Sequence, residues 1–363
     1  INKGLVIIFF FGLIENKSIQ SSFTNMYRLI RRILFFLKPE NAHHFALACL
    51  HFVCSIPGVK SLLRRIYHRR NQTPRTLLGQ TFLNPIGLAA GFDKNGEHID
   101  VLSCLGFGFI EIGSATARPA SGNPQPRLFR LKNDRALINR MGLNNQGALA
   151  ISQRLSKVDR RCPIFVNIAK SHDSTIIDDL AIDDYCESVK LLVDVADVLV
   201  INVSCPNSGD GRTFEDPDAL GQLLPEIRRV IGDKPVPYLV KVSPDLSQTQ
   251  LESVVTLALE NGAAGFTATN TTINRDGLNT PANQLDLIGA GGLSGRPLHH
   301  RALKTVENLR RLTDLPIIAV GGISEVEHAQ AFVDAGASLV QLYSGFIYEG
   351  PALIRRIAHQ LRL

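Results

Sequence analysis

Between residues 84 and 346 the chain repeats one pattern, a short run of apolar or β-branched residues that ends in polar ones. The runs are "NPIGLAAG" (84–91), "FGFIEIGSAT" (107–116), "IFVNIAK" (164–170), "DVLVINVSC" (197–205), "YLVKVS" (238–243), "GFTATNTT" (265–272), "LPIIAVGGI" (315–323) and "SLVQLYSGF" (338–346). Stretches of helical periodicity separate most of them, at 216–231, 247–261, 298–312 and 325–336. Alternating strands and helices imply parallel strands joined by crossover helices, and eight such units predict an α/β fold of the (β/α)8 TIM-barrel type. No GxGxxG opens a helix after the first run, which argues against a dinucleotide-binding sheet. Residues 127–147, "RLFRLKNDRALINRMGLNNQG", alternate like a hairpin and are read as an excursion over the barrel mouth.

Upstream the period changes. Leu29, Ile30, Ile33, Leu34 and Leu37 share one helical face, and Phe45, Cys49, Phe52 and Val53 share another, with Pro39 at a helix start and Pro57-Gly58 as a break. With the basic "LLRRIYHRR" that follows, residues 27–75 are predicted to form an amphipathic helical appendage, and residues 76–363 the barrel. The ten apolar residues 5–14 fall short of the roughly 20 that span a bilayer. Residues 1–26 are read as an extension outside the fold.

Charge sharpens this division. The formal net charge is +6, yet residues 28–75 hold ten Lys or Arg against one acid, Glu40, which leaves the rest of the chain mildly acidic. A basic, apolar appendage on an acidic body suits an anionic membrane surface rather than nucleic acid. The six cysteines show no CxxC pair and no metal-ligand spacing, so neither a disulfide scaffold nor a metal site is expected.

Candidate chemistry gathers at the carboxyl ends of the apolar runs, the face on which barrel enzymes build their sites. Asp93, Lys94, Ser114, Asn167, Lys170, Asn202, Cys205, Lys241, Asn270, Thr271 and Tyr343 all fall there. Any one of them alone reads as a loop or capping residue, and Cys205 alone as a small buried hydrophobe; eight runs ending this way point to a site. The glycine turns "AVGGIS" (319–324) and "YSGF" (343–346) suit a phosphate held by backbone N–H groups. Lys241 inside a strand is costly to bury unless it meets an anion, such as the electron-rich end of a reduced flavin. Asn139, Asn202, Asn207 and Asn270 pair donors with acceptors, which matches the imide edge of a pyrimidinedione, and Lys94 suits its carboxylate.

The stretches "GLAAGFDKNG" (87–96), "INVSCPN" (201–207), "ATNTT" (268–272) and "GGLSGRPL" (291–298), with 111–147 and 320–351, resemble the dihydroorotate dehydrogenase family, in its quinone-dependent, membrane-associated class 2. The resemblance implies oxidation of (S)-dihydroorotate to orotate in pyrimidine biosynthesis, with FMN as hydride acceptor and a membrane quinone as final acceptor, on the cytoplasmic face of the cell inner membrane. It places flavin contacts on Ala90, Gly91, Phe92, Asp93, Lys94, Ser114, Asn167, Asn202, Lys241, Thr269, Gly292, Gly322, Tyr343 and Ser344. Substrate contacts fall on Lys94, Asn139, Arg140, Met141, Gly142, Leu143, Asn202, Asn207, Asn270 and Thr271, and quinone contacts on His43 and Arg130. The base matches Cys205, where class 2 usually has a serine; Leu143 and Ser208 stand where it usually has phenylalanine and threonine. Two other readings compete, a tRNA dihydrouridine synthase and a non-catalytic flavin-binding scaffold on a membrane. Bleaching of the flavin by dihydroorotate separates them from the first.

Overall fold

The computed structural model of the protein describes residues 17–68, 74–204 and 214–362. Cys205, Asn207 and Ser208, the expected base and two of its neighbours, lie outside the described residues. Strands β1 (Arg75–Leu77) and β2 (Gln80–Phe82) form a hairpin ahead of the barrel. The barrel closes through β3 (Ile86–Leu88), β4 (Phe109–Ala115), β7 (Ile164–Ile168), β8 (Val198–Asn202), β9 (Tyr238–Val242), β10 (Gly265–Ala268), β12 (Ile317–Val320) and β13 (Leu339–Leu342), with every neighbouring pair parallel. Each of the eight apolar runs thus contains one barrel strand, and the helices Pro217–Ile231, Gln248–Glu260, His299–Leu312 and Val326–Asp334 fall within a few residues of the predicted segments.

Side chains in a strand alternate between faces, and here the alternation sorts chemistry by height. Phe109, Phe165, Val198, Val200, Leu239, Ile318 and Leu339 form an apolar layer inside the barrel, sealed from below by Phe82 of the hairpin. Two residues further along the same strands come Glu111, Asn167, Asn202, Lys241 and Gln341, all buried, so the barrel interior turns polar one layer above its apolar plug. The intervening residues, among them Ile110, Ile112, Val166, Leu199 and Val240, face outward and join the helices in the main core. The plugging hairpin has no counterpart in the sequence reading, because two three-residue strands are too short to show a period.

The expected hairpin over the mouth is present as β5 (Leu128–Leu131) and β6 (Ala136–Asn139), and a third strand, β11 (Gly292–Gly295), pairs antiparallel with β6. "GLSG" has little strand propensity. It extends because β6 offers a free edge and because Gly292 leaves space that a Cβ would take from the side chain of Thr271.

Among the described residues three helices rather than two come before the barrel: α1 (Lys17–Leu34), α2 (Pro39–Cys54) and α3 (Val59–Tyr67). Helix α1 crosses residue 26, the expected end of the extension. In α3, "LLRRIY" buries Leu63 and Tyr67 against the barrel while Arg65 stays exposed on the outer face of the packed helix. Leu47, Leu50 and Val53 of α2 join the same core. The other face stays unpaired: Leu29, Ile33, Phe36, Phe45 and Phe52 are exposed, Phe36 to 90%. No single helix among the described residues is long and apolar enough to cross a membrane, and α2 and α3 turn by 111° at their break.

Candidate active site

Two cavities adjoin at the carboxyl end of the barrel. The first, of about 170 Å³, opens at the mouth and is lined by Ala90, Gly91 and Lys94 after β3, Ser114 of β4, Asn202 of β8, Lys241 of β9, Thr269, Asn270 and Thr271 after β10, and Gly321, Gly322, Tyr343, Ser344 and Gly345 after β12 and β13. The excursion adds Asn139, Met141, Gly142 and Leu143. The second, of about 300 Å³, lies between the appendage and the barrel and is mostly apolar: Ile30, Leu34, Leu47 and Leu50 face Phe92, Leu102, Leu105 and Phe346. Four residues line both: Gly91, Lys94, Met141 and Tyr343.

From the mouth cavity down into the barrel the polar groups form one directed chain. Asn270 Nδ2 donates to Asn202 Oδ1 (3.3 Å) and to Ser204 Oγ (2.9 Å), and Asn202 Nδ2 donates to Ser114 Oγ (3.3 Å). Ser114 Oγ donates to Asn167 Oδ1, and Asn167 Nδ2 donates to Glu111 Oε1 at 2.8 Å. Lys241 Nζ reaches the same oxygen at 3.3 Å, and Gln341 Nε2 donates to Glu111 Oε2 at 2.5 Å. Glu111 and Gln341 escaped the sequence reading. The available signal was polarity inside an apolar strand, "FIEIG" and "LVQLY", the same signal that exposed Lys241.

Lys94 stands in the wall between the cavities. Its Nζ donates to Gly91 O at 3.1 Å, and burial lowers its ammonium to about 8, with the Arg127 guanidinium adding to the fall and Glu40 opposing it. Glu40 of α2 is itself clamped to Arg127 at 3.0 Å, so the appendage contributes a charge felt at Lys94.

Several predicted residues sit elsewhere than at the mouth. Asp93 and Phe92 line the appendage cavity. The Asp93 carboxylate accepts from the N–H groups of Glu97 (2.9 Å) and His98 (2.8 Å), shaping the turn after β3. Asn167 lies beneath the mouth, in the layer of Glu111. Arg140 donates to Ile288 O and to Ala290 O (2.9 Å) with its guanidinium 4.6 Å over the Phe129 ring, pinning the excursion to the chain before β11. Gly292 backs onto Thr271. Lys170 is taken up by Ile176 O at 2.7 Å.

His43 and Arg130 both line the appendage cavity. The His43 ring meets Phe92 edge-on at 4.8 Å, and burial, helped by the Lys94 charge, pulls its imidazole down to about 3. Arg130 Nη1 donates to Leu37 O at 2.8 Å and lies 4.4 Å over the Phe35 ring.

Similarity to known proteins agrees with this geometry. A family model described as "Dihydroorotate dehydrogenase" matches residues 73–363. The dihydroorotate dehydrogenase (quinone) of Rhodococcus opacus is 47% identical over 335 residues, covering 92% of this chain and 93% of its own. That of Mycobacterium tuberculosis is 45% identical over 331 residues, covering 90% of each. This chain belongs to the dihydroorotate dehydrogenase family. Its place is in the quinone-dependent class 2, and the fold has the same kinship: DHODH from Eimeria tenella, solved in complex with ferulenol, superposes with a TM-score of 0.78 at 33% identity over 90% of this chain and 93% of that one. Family membership makes the chain an oxidoreductase and implies a flavin cofactor.

The mouth cavity fits a flavin. It offers a buried lysine, a glycine-lined end at Gly295, Gly321, Gly322 and Gly345, and the amide of Gln341, whose buried Oε1 has no partner among the described residues. Such an orphaned acceptor is costly unless a ligand N–H meets it.

Proposed function

We propose that the two cavities divide the family's reaction, the oxidation of dihydroorotate to orotate in pyrimidine biosynthesis with a quinone as electron acceptor. The mouth cavity holds FMN and substrate, and the appendage cavity holds the quinone. The observation that carries this reading is the shared wall, where two cavities of opposite character meet at Gly91, Lys94, Met141 and Tyr343.

Gly322 and Ser344 would hold the FMN phosphate, Lys241 would meet its pyrimidine end, and Ala90, Gly91, Ser114, Asn202 and Thr269 would line the cavity between them. When bound, it supplies what the side chains lack, acceptance of two electrons with the hydrogen of substrate C6 and their delivery to the quinone. Lys94 meets the substrate carboxylate. Asn139, Asn202, Asn207, Asn270 and Thr271 bond the imide edge, and Met141 to Leu143 cover it. Cys205, three residues beyond the end of β8, takes the proton from C5; a free thiol ionises near pH 8.5 and is already partly thiolate at neutrality. His43, neutral over the working range, donates its ring N–H to one quinone carbonyl, and Arg130 donates to it from the excursion side.

The exposed apolar faces of α1 and α2, set among Arg28, Arg31, Arg32 and Lys38, dock the protein on an anionic membrane at the cytoplasmic face of the cell inner membrane, as a peripheral rather than a spanning protein. Support comes from the location of Phe45, which is exposed and also lines the appendage cavity, so that the docking face and the quinone entrance coincide.

Anaerobic spectroscopy tests the whole reading. The purified yellow protein should bleach with dihydroorotate and regain its colour on adding a quinone, with NAD unable to replace it. A spectrum that ignores dihydroorotate, or reoxidation by NAD at the quinone rate, would overturn it.

A further inference from the structure

Glu111 is fully buried and plays no part in the reaction as described. Both of its carboxylate oxygens are taken, by Asn167 and Lys241 on one and by Gln341 on the other. A carboxylate accepts and does not donate, so each group bonded to it must turn its donor inward. Asn167 is thereby left with Oδ1 toward Ser114, and Gln341 with a buried Oε1 that has no partner among the described residues. The direction passes on through Ser114 to Asn202 and Asn270, whose amides all donate toward the acid.

We propose that Glu111 is a positioning residue for this reaction: it is the counter-ion that keeps Lys241 an ammonium beneath the cofactor, and the terminal acceptor that orients the asparagines of the site. The inference rests on the flavin reading of the mouth cavity. An opposite charge at hydrogen-bond distance favours the ammonium, whereas a dry site without one favours loss of its proton. A cation at the pyrimidine end favours the reduced cofactor. Neutralising Glu111 therefore makes the charge of Lys241 depend on pH, and the flavin potential reports it.

The test is a spectroelectrochemical titration of flavin-loaded protein over roughly pH 6 to 9, comparing the parental chain with E111Q, E111D and the double variant E111Q/K241M. In E111Q the potential should show an added pH step, with the reduction equilibrium at least tenfold less favourable on the alkaline side, about 30 mV for a two-electron couple. E111D, which keeps the charge, should follow the parental line, and the double variant should lack the step. An E111Q line parallel to the parental one, with flavin bound, overturns the proposal. Should E111Q not retain flavin, E111D decides: flavin retained with parental pH dependence supports the charge, and flavin lost as readily as in E111Q overturns it. A parental protein that takes up no FMN refutes the cofactor reading instead, and the inference falls with it.

Discussion

The mouth cavity and the appendage cavity share four wall residues and almost nothing else. The mouth is built from strand ends whose side chains are held in one directed hydrogen-bond chain ending at Glu111. The appendage cavity is built largely from helix faces that supply shape and apolar surface, with polar groups such as His43, Arg130 and Glu40 interspersed among them. Polar groups in a barrel interior are costly unless satisfied, so that site favours one arrangement and a ligand that completes it. An apolar slot between helices pays no such cost and accepts a flexible, greasy ligand. The difference suits a small, polar substrate on one side and a membrane-soluble carrier on the other.

Cys205→Ala separates the cavities most widely. It should slow flavin bleaching by dihydroorotate by about two to four powers of ten, the usual worth of a positioned base, while chemically reduced flavin still passes electrons to quinone. Stopped-flow spectroscopy of both half-reactions measures this, and near-parental bleaching would show that the cysteine is not the base. Ala46→Trp attacks the other side, since Ala46 lines only the appendage cavity. A steric cost of about 3 kcal/mol there raises the apparent KM for quinone roughly a hundredfold, with turnover on a soluble dye acceptor retained; equal loss with both acceptors would count against a separate quinone cavity.

Phe36→Asp tests the docking face. Removing the most exposed of its large apolar side chains costs about 2 kcal/mol of burial in lipid, roughly a thirtyfold fall in vesicle partitioning, with dihydroorotate-driven bleaching unchanged. Unaltered sedimentation with anionic vesicles would show that the face does not dock. The smallest effect is one of pH. Burial lowers the free Lys94 ammonium to about 8, below its unfolded value, so it loses its proton as pH rises through that point. Orotate affinity should be flat below it and fall about tenfold per pH unit above. The quinone KM should show no step near pH 6.5, because His43, at about 3, is already neutral. Calorimetric binding and steady-state assays across pH check both halves.

Much of this was legible in the residues. All eight strands, the excursion hairpin and the first two appendage helices followed from periodicity, although Val53 packs with Leu47 and Leu50 while Phe45 and Phe52 of its predicted stripe are exposed, and Lys94, Lys241 and the asparagines stood out as polar groups at strand ends. Glu111 and Gln341 did not, because a single polar residue in an apolar strand has no partner until distant strands are brought together. Arg140, Asp93 and Gly292 were carried to the site by motif position, whereas the structure uses their side chains or their lack of one to shape neighbouring turns and strands. The hairpin beneath the barrel and the strand Gly292–Gly295 were invisible for another reason: short strands gain their stability from the edge they join rather than from their own residues.

Period and polarity along the chain thus determined the barrel, the amphipathic appendage and the rim on which chemistry had to gather, since both are local consequences of which face each residue must bury. Which polar groups meet was decided only by closure of the barrel. Closure brings β4, β7, β9 and β13 to one interior layer, so that residues 130 and 230 positions apart, Lys241 and Gln341, bond the same carboxylate. It also sets the appendage against the mouth, so that Lys94 serves two cavities that no stretch of sequence joins.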